Sequence, residues 1–449
     1  MDARLTREQV LALAPDASSS KAAGGLATDG KWGLLGADDE AVWGECQGSG
    51  AKPYQAQVDL SALVSRCSCP SRKFPCKHGL ALLLLYAQGN PRFAPLPQAR
   101  PGWVDEWLRG RRERAARHVP TGEGAAAAPV VAPEAAAAAA AKREATRWKR
   151  IAQGSAELER WIADTFRHGL ANLGASQRED AMNMAARMVD AQAPALAGQL
   201  QLAMDAEQIG VAGLSEMGER LGLLQLLNQA VHRRSALSPG RVADLRAALG
   251  WPLDKDEVLA TGERLHDRWH VLGQCAVELP GRLTERRVWL HGLDSGRTAL
   301  LQEFAHGGRG WERTWPANHV LAATLHFFPG TVPLRALAPA ATALAESPGT
   351  PQFDGSAGID QASASFATNP WLAQVPLRLQ GHVQVADDTW HMHTDAGCLP
   401  LQLDTDDGWA LMAFAGGHPL CVMGEWDGRA LLPLSAWTAH GHYWHRSAA

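Results

Sequence analysis

Apolar and polar positions change period along the chain. Near the start, LTREQVLALAPD predicts a short helix, with Thr6 and Gln9 in capping-box positions and Pro15 ending it. Over residues 54–60 the period falls to two. Tyr54, Ala56, Val58 and Leu60 alternate with Gln55, Gln57 and Asp59, the signature of a half-buried strand. Gly48, Gly50 and Pro53 supply the turn before it. The apolar segment GLALLLLYAQGN (79–90) predicts a buried helix closed by Gly89 and Asn90, and Trp103–His118 predicts a second helix, basic in its latter half.

Composition shifts after His118. Two prolines and no large apolar periodicity make 119–132 a linker, whereas the alanines from Ala135 to Ala141 favour the first turns of a helix. Leu158, Trp161, Ile162, Thr165, Phe166 and Leu170 then share one helical face, and helical patterns continue to about residue 270. Beyond that point VLGQCAVEL, ERRVWLHGL, TALLQEF, HVLAATLHFF, LRLQGHVQV, GWALMAFA and LCVMGEW read as strands. Asp407-Gly408 and Asp427-Gly428 read as turns between them. No internal repeat is visible.

At 449 residues, with 46% hydrophobic and 20% charged content, the chain should form two or three globular domains. Met1 is followed by Asp2, Arg4 and Arg7 rather than an apolar leader, and Leu80–Ala87 is too short to span a bilayer. Seven cysteines without regular spacing point to a reducing compartment, so a cytoplasmic protein is expected. The net charge of −4 is unevenly distributed. Residues 51–118 hold 12 Lys and Arg against 4 Asp and Glu, while residues 1–50 come to −4 and residues 119–449 to −8.

Three of the cysteines fall in that basic block, in RCSCPSRKFPCKH. The pattern is Cys67-x-Cys69, six residues, then Cys76-x-His78. Thiolate and imidazole are the donors of a four-coordinate structural Zn²⁺, with Zn–S near ~2.3 Å and Zn–N near ~2.0 Å. In an extended strand, residues two apart project to one face, so Cys67 and Cys69 can reach one ion. Pro70 and Pro75 restrict the intervening loop. Four convergent ligands suit a metal better than a redox pair, and leave no open position for a catalytic water. Three thiolates and Zn²⁺ leave −1, against which Arg66, Arg72, Lys73 and Lys77 set four positive charges, about +3 in all. A rigid cationic surface of this kind suits phosphate or an acidic protein, and Lys52 and the arginines of 109–117 could extend it.

These residues resemble the SWIM zinc finger family, whose pattern is C-x-C, a variable gap, then C-x-H. CSCPSRKFPCKH matches it with all four ligands in order, and VWGECQGSGAKPYQAQVDL upstream and GEWDGRALLPL near the end resemble segments of bacterial stand-alone members. The resemblance covers about residues 30–90 well. It assigns zinc ligation to Cys67, Cys69, Cys76 and His78 and assigns no catalytic residue. It implies a DNA-binding or protein-interaction module. By similarity to proteins encoded beside MoxR-type AAA+ ATPases and von Willebrand factor A-domain proteins, it points to one of those as partner.

The remaining motifs carry less. GLATDGKW is a P-loop near miss, with Trp32 where Ser or Thr should ligate Mg²⁺ and no apolar strand before Gly25. HGGRG (306–310) lacks dinucleotide spacing. His391 and His393 share one strand face with Cys398 just beyond, so a second metal site is conceivable. The 17 tryptophans are expected chiefly in cores.

The expected fold class is α+β multidomain: a zinc-stabilised α+β finger module with a basic helix (1–118), an Ala/Pro-rich linker (119–141), a helical region (142–270) and a β-rich C-terminal domain (271–449). The expected function is non-enzymatic, a zinc-binding interaction protein whose finger offers Lys52, Arg66, Arg72, Lys73 and Lys77 to a protein or nucleic-acid partner. The alternative is an enzyme with its site in the C-terminal half and the finger as targeting module.

Overall fold

The structure is a computed structural model that describes residues 7–14, 17–47, 52–60, 63–69, 71, 75–94, 97–117, 133–206, 211–279, 283–306, 311, 313–344 and 346–446. The Thr6 cap, the terminating Pro15, the turn glycines 48 and 50, Pro70, Arg72, Lys73, the tip of the HGGRG stretch and the 119–132 linker lie outside the described residues.

The N-terminal module begins with two helices, α1 (Arg7–Ala12) and α2 (Ala17–Leu26), followed by an antiparallel meander. Its strands are β1 (Trp32–Ala37), β2 (Ala41–Cys46), β3 (Tyr54–Asp59) and β4 (Val64–Cys67), hydrogen-bonded in that order. Helices α3 (Lys77–Ala87) and α4 (Gly102–Arg117) complete it. Alternation along the strands sorts the two faces of the sheet. Val42, Ala56 and Val58 pack on the leucines of α3, whereas Ala41, Trp43 and Val64 pack on Val104, Trp107 and Leu108 of α4. Leu80–Leu85 are all buried because α1 and α2 cover the side of α3 turned away from the sheet.

Helix α5 (Pro133–His168) absorbs the predicted alanine tract and enters a bundle with α6 (Ala175–Asp190), α7 (Pro194–Ala206) and α8 (Val211–His232). Deep in that core Ser155 Oγ donates to Asn228 Oδ1 at 2.7 Å. Leu158, Ile162 and Thr165 are buried as expected, but Phe166 is exposed. Eight residues on from Leu158 it lies about 80° round the helix, at the edge of the apolar stripe. Helices α9 (Pro239–Ala248) and α10 (Lys255–Thr261) lead out of the bundle, and the first long strand starts at Glu263 rather than at residue 271.

The C-terminal region forms two closed barrels. The first contains β5 (Glu263–Leu279), β6 (Leu283–Gly292), β7 (Thr298–His306), β8 (Val320–Phe327) and β9 (Arg335–Leu337), with β10 (Ala341–Ala343) on the edge of β8. After α11 (Gly355–Thr368), the second contains β11 (Val375–Ala386), β12 (Thr389–Thr394), β13 (Gly397–Leu401), β14 (Leu420–Trp426) and β15 (Leu431–Trp437). Helix α12 (Thr405–Ala415) joins its third and fourth strands, and β16 (Tyr443–His445) extends it beside β15. In both, the third strand pairs in parallel with the fifth, closing a ring of order 1-2-3-5-4. In both, the long first strand serves two neighbours. Residues 263–270 pair with β8 and 269–279 with β6, just as 375–381 pair with β14 and 382–386 with β12. This is the five-stranded order of OB barrels. The chain therefore contains a structural repeat that the sequence does not display, because pairing and inward alternation constrain side-chain class and not identity.

Two of the sequence readings are corrected here. GWALMAFA is helix α12 and not a strand, since Asp404 caps its N-terminus by accepting from Asp407 N–H at 2.7 Å, and Gly416 ends it in the left-handed conformation. Asp407-Gly408 is consequently no turn; a Cβ on Gly408 would lie 2.1 Å from the Trp390 indole, so glycine lets the helix seat on the barrel.

Candidate metal centre

The donors converge at the end of the meander where β4 meets α3. Cys67 closes β4 opposite Ala56. The pairing continues one residue further, with Ser68 N–H donating to Gln55 O and Gln55 N–H to Ser68 Oγ, both at 2.9 Å. That keeps the backbone extended, so Cys67 and Cys69 present their thiols side by side, as the spacing predicted. On the other arm, Cys76 is the N-cap of α3, its Sγ accepting from Gly79 N–H at 3.5 Å, and His78 lies in the first turn. A side chain at Gly79 would press on Ser65, since its Cβ would sit 3.0 Å from the serine Cβ. The helix start therefore lies directly on β4.

The four donor atoms of Cys67, Cys69, Cys76 and His78 all lie within 4.8 Å of one another. Cys67 Sγ is 3.8 Å from His78 Nδ1. Cys76 and His78 are 2% and 4% exposed, with the Tyr54 ring packed 5.0 Å from that of His78, while Cys67 and Cys69 are half-buried. Hydrogen bonding among the thiols, with burial added, pushes Cys67 up, and the same thiol hydrogen bonds hold Cys69 down. Burial works to lower His78, but hydrogen bonds to Cys69 and Cys76 prevail and bring it up to about 9. Of these two thiols, the one at Cys69 is the one whose negative form is favoured, with the His78 imidazolium beside it. Three sulfurs and one imidazole without a carboxylate are the donor set of a closed structural zinc site, and the chain's own geometry fits Zn²⁺.

A structural zinc finger with Cys₃His ligation is the class of module defined here. The SWIM zinc finger family matches residues 54–87, and the SWIM-associated four-helix bundle domain matches residues 146–249. The chain thus carries a SWIM zinc finger together with its associated four-helix bundle domain. No curated protein and no solved structure matches it.

Of the predicted cationic residues, Lys52, Arg66 and Lys77 are exposed and flank the ligands along the chain. Arg66, in register with Gln57 and Trp43, projects to the sheet face opposite Cys67, which is the face covered by helix α4. Arg111 of that helix pairs with Asp59 at 3.1 Å and Arg112 with Glu40, contacts made across more than fifty residues and invisible to local charge counting.

The sequence also gave no signal that the finger docks on the barrels. Leu63, buried with a left-handed φ of 50°, lines a small cavity together with Trp315, Leu321 and Ala343 of the first barrel. Beside it, Ser65 and Pro75 of the finger and Gln274, Arg286 and His445 of the barrels line a cavity of about 90 Å³. That is well below the ~300–1,000 Å³ of ordinary small-molecule sites.

Proposed function

We propose that the protein is a non-catalytic interaction module in which one structural Zn²⁺ holds Lys52, Arg66 and Lys77 on a rigid edge that binds an acidic protein surface. The observation that carries this reading is the convergence of four closed-site donors between exposed cations. A closed zinc supplies shape and no open coordination position. The bundle and the barrels act as the frame on which the finger is seated. An AAA+ ATPase of the MoxR type or a von Willebrand factor A-domain protein is the partner class that the family resemblance suggests.

Charge argues against the second barrel as a nucleic-acid site. OB barrels often bind oligonucleotides, but function follows the site rather than the fold. The second barrel, residues 375–446, has three arginines against eight carboxylates, a local −5. All three arginines are ion-paired: Arg378 with Asp354, Arg429 with Glu219 and Arg446 with Asp407. Such a surface repels phosphate.

The test is capture of partners on the purified full-length protein, run beside a variant with Lys52, Arg66 and Lys77 changed to Glu, together with filter binding to DNA across salt. The reading expects an acidic protein retained by the native chain and lost from the variant, and no appreciable DNA retention at low salt. DNA binding with a steep negative salt slope, unmatched by any protein partner, would replace it with the nucleic-acid version.

A further inference from the structure

We propose that the outer face of the second barrel carries a second, weaker site for a borderline divalent transition metal, held by His393 and Cys398 with His382 as third ligand. The strand register brings these residues together from three adjacent strands. His393 of β12 stands directly opposite His382 of β11 on one side and directly opposite Cys398 of β13 on the other. Directly opposed residues project to the same face, with Cβ atoms about 4.5–5.5 Å apart. All three side chains are exposed on the outer face, while the intervening Val383, Met392 and Leu399 face the barrel interior. His391, two residues before His393, shares that outer face and is a nearby reserve ligand.

One donor pair is already at ligating separation. Cys398 Sγ lies 3.8 Å from His393 Nε2, the same distance that separates Cys67 Sγ from His78 Nδ1 in the finger. Two such donors on one tetrahedral zinc sit roughly 3.5 Å apart. Among the described residues, the finger's four donors form the cluster of three or more already within reach of one ion, so the barrel site needs His382 to swing inward. Exposed side chains change rotamer in picoseconds to nanoseconds. The surroundings favour a cation, since Asp387 and Asp388 form the β11–β12 turn and Asp395 the β12–β13 turn. A mixed imidazole–thiolate set selects Zn²⁺, Co²⁺ or their neighbours over Mg²⁺ or Ca²⁺. Three protein ligands would leave a position for water, unlike the closed finger.

The experiment titrates Co²⁺ into metal-free, reduced full-length protein and follows the thiolate-to-cobalt charge-transfer absorption. Two equivalents should bind, the first filling the finger and the second arriving at higher concentration. Cys398→Ser should abolish the second equivalent and its absorption while leaving the first equivalent and the thermal melt unchanged. His382→Ala should weaken the second equivalent at least tenfold. Saturation of the native protein at one equivalent, or two equivalents retained by Cys398→Ser, overturns the site. An unaltered second equivalent in His382→Ala overturns the three-ligand assignment.

Discussion

Cys76 serves two structural roles at once, as a zinc donor and as the cap of α3. A cap alone is worth about 1 kcal/mol. The free energy of binding a structural zinc is about 10–16 kcal/mol at neutral pH and appears as folding free energy. Cys76→Ala should therefore abolish the tightly held zinc equivalent and unmake the packing of α3 on β3 and β4, while the barrels keep their structure. Metal analysis with hydrogen exchange would show this, and unchanged tight zinc in the variant would contradict the ligand set. At this scale the sequence was readable where the chemistry is local. Four ligands within twelve residues declare themselves by type and spacing. The fate of Arg111 and Arg112 did not, because their partners Asp59 and Glu40 approach only after the sheet has formed.

At the scale of elements, α12 shows where pattern reading is ambiguous. A short apolar run suits a buried strand and a buried helix equally, so its ends must decide. Here Asp404 caps the start, Asp406 and Asp407 lie in the positive first turn, and Gly416 closes the end. Asp404→Ala should cost about 1 kcal/mol and lower the melting temperature of the second barrel, read by calorimetry against the native protein. No change would mean that packing on Trp390 alone holds the helix. Strands β5, β6, β8, β11 and β14 were legible from alternation or β-branched runs. The start of β5 was not, since ERLHDRWH carries six polar residues in eight and pairs with β8 through its backbone. The barrel repeat was hidden for a related reason: the two chains share only which strand lies beside which.

For the whole molecule, the two barrels are joined by a buried polar latch. Glu425 of the second, 4% exposed, accepts from Arg287 Nε and Nη2 and from Trp289 Nε1 of the first, each at 2.8 Å. Removing Glu425 takes the acceptor from Trp289 Nε1 and leaves Arg287 paired with Glu285 at 2.8 Å, so Glu425→Ala should cost toward the lower end of about 3–5 kcal/mol in denaturant unfolding. Close by, His270 of the first barrel is fully buried, donating from Nε2 to Asn318 Oδ1, which also accepts from Trp437 Nε1 of the second. Its Nδ1 has no partner among the described residues. Burial above all, helped by His291, Arg378 and His319 and opposed by the Asn318 bond, lowers His270 from 6.5 to about 4. Burial also lowers His291 and His319. Above pH 6.5 this imidazole is neutral whether the chain is folded or unfolded, and it adds no pH dependence. As pH falls below 6.5 the unfolded chain takes up the proton first, and stability drops until the folded form also protonates near 4, a loss of roughly 3 kcal/mol from this one group. His270→Gln retains a donor for Asn318 without the titration. Its barrels should therefore lose less stability than the native ones between pH 6.5 and 4, as measured by the tryptophan-monitored melt. Acid release of zinc from the finger is common to both proteins and cancels in the comparison, so parallel curves would show that His270 titrates normally and that the barrel junction admits water.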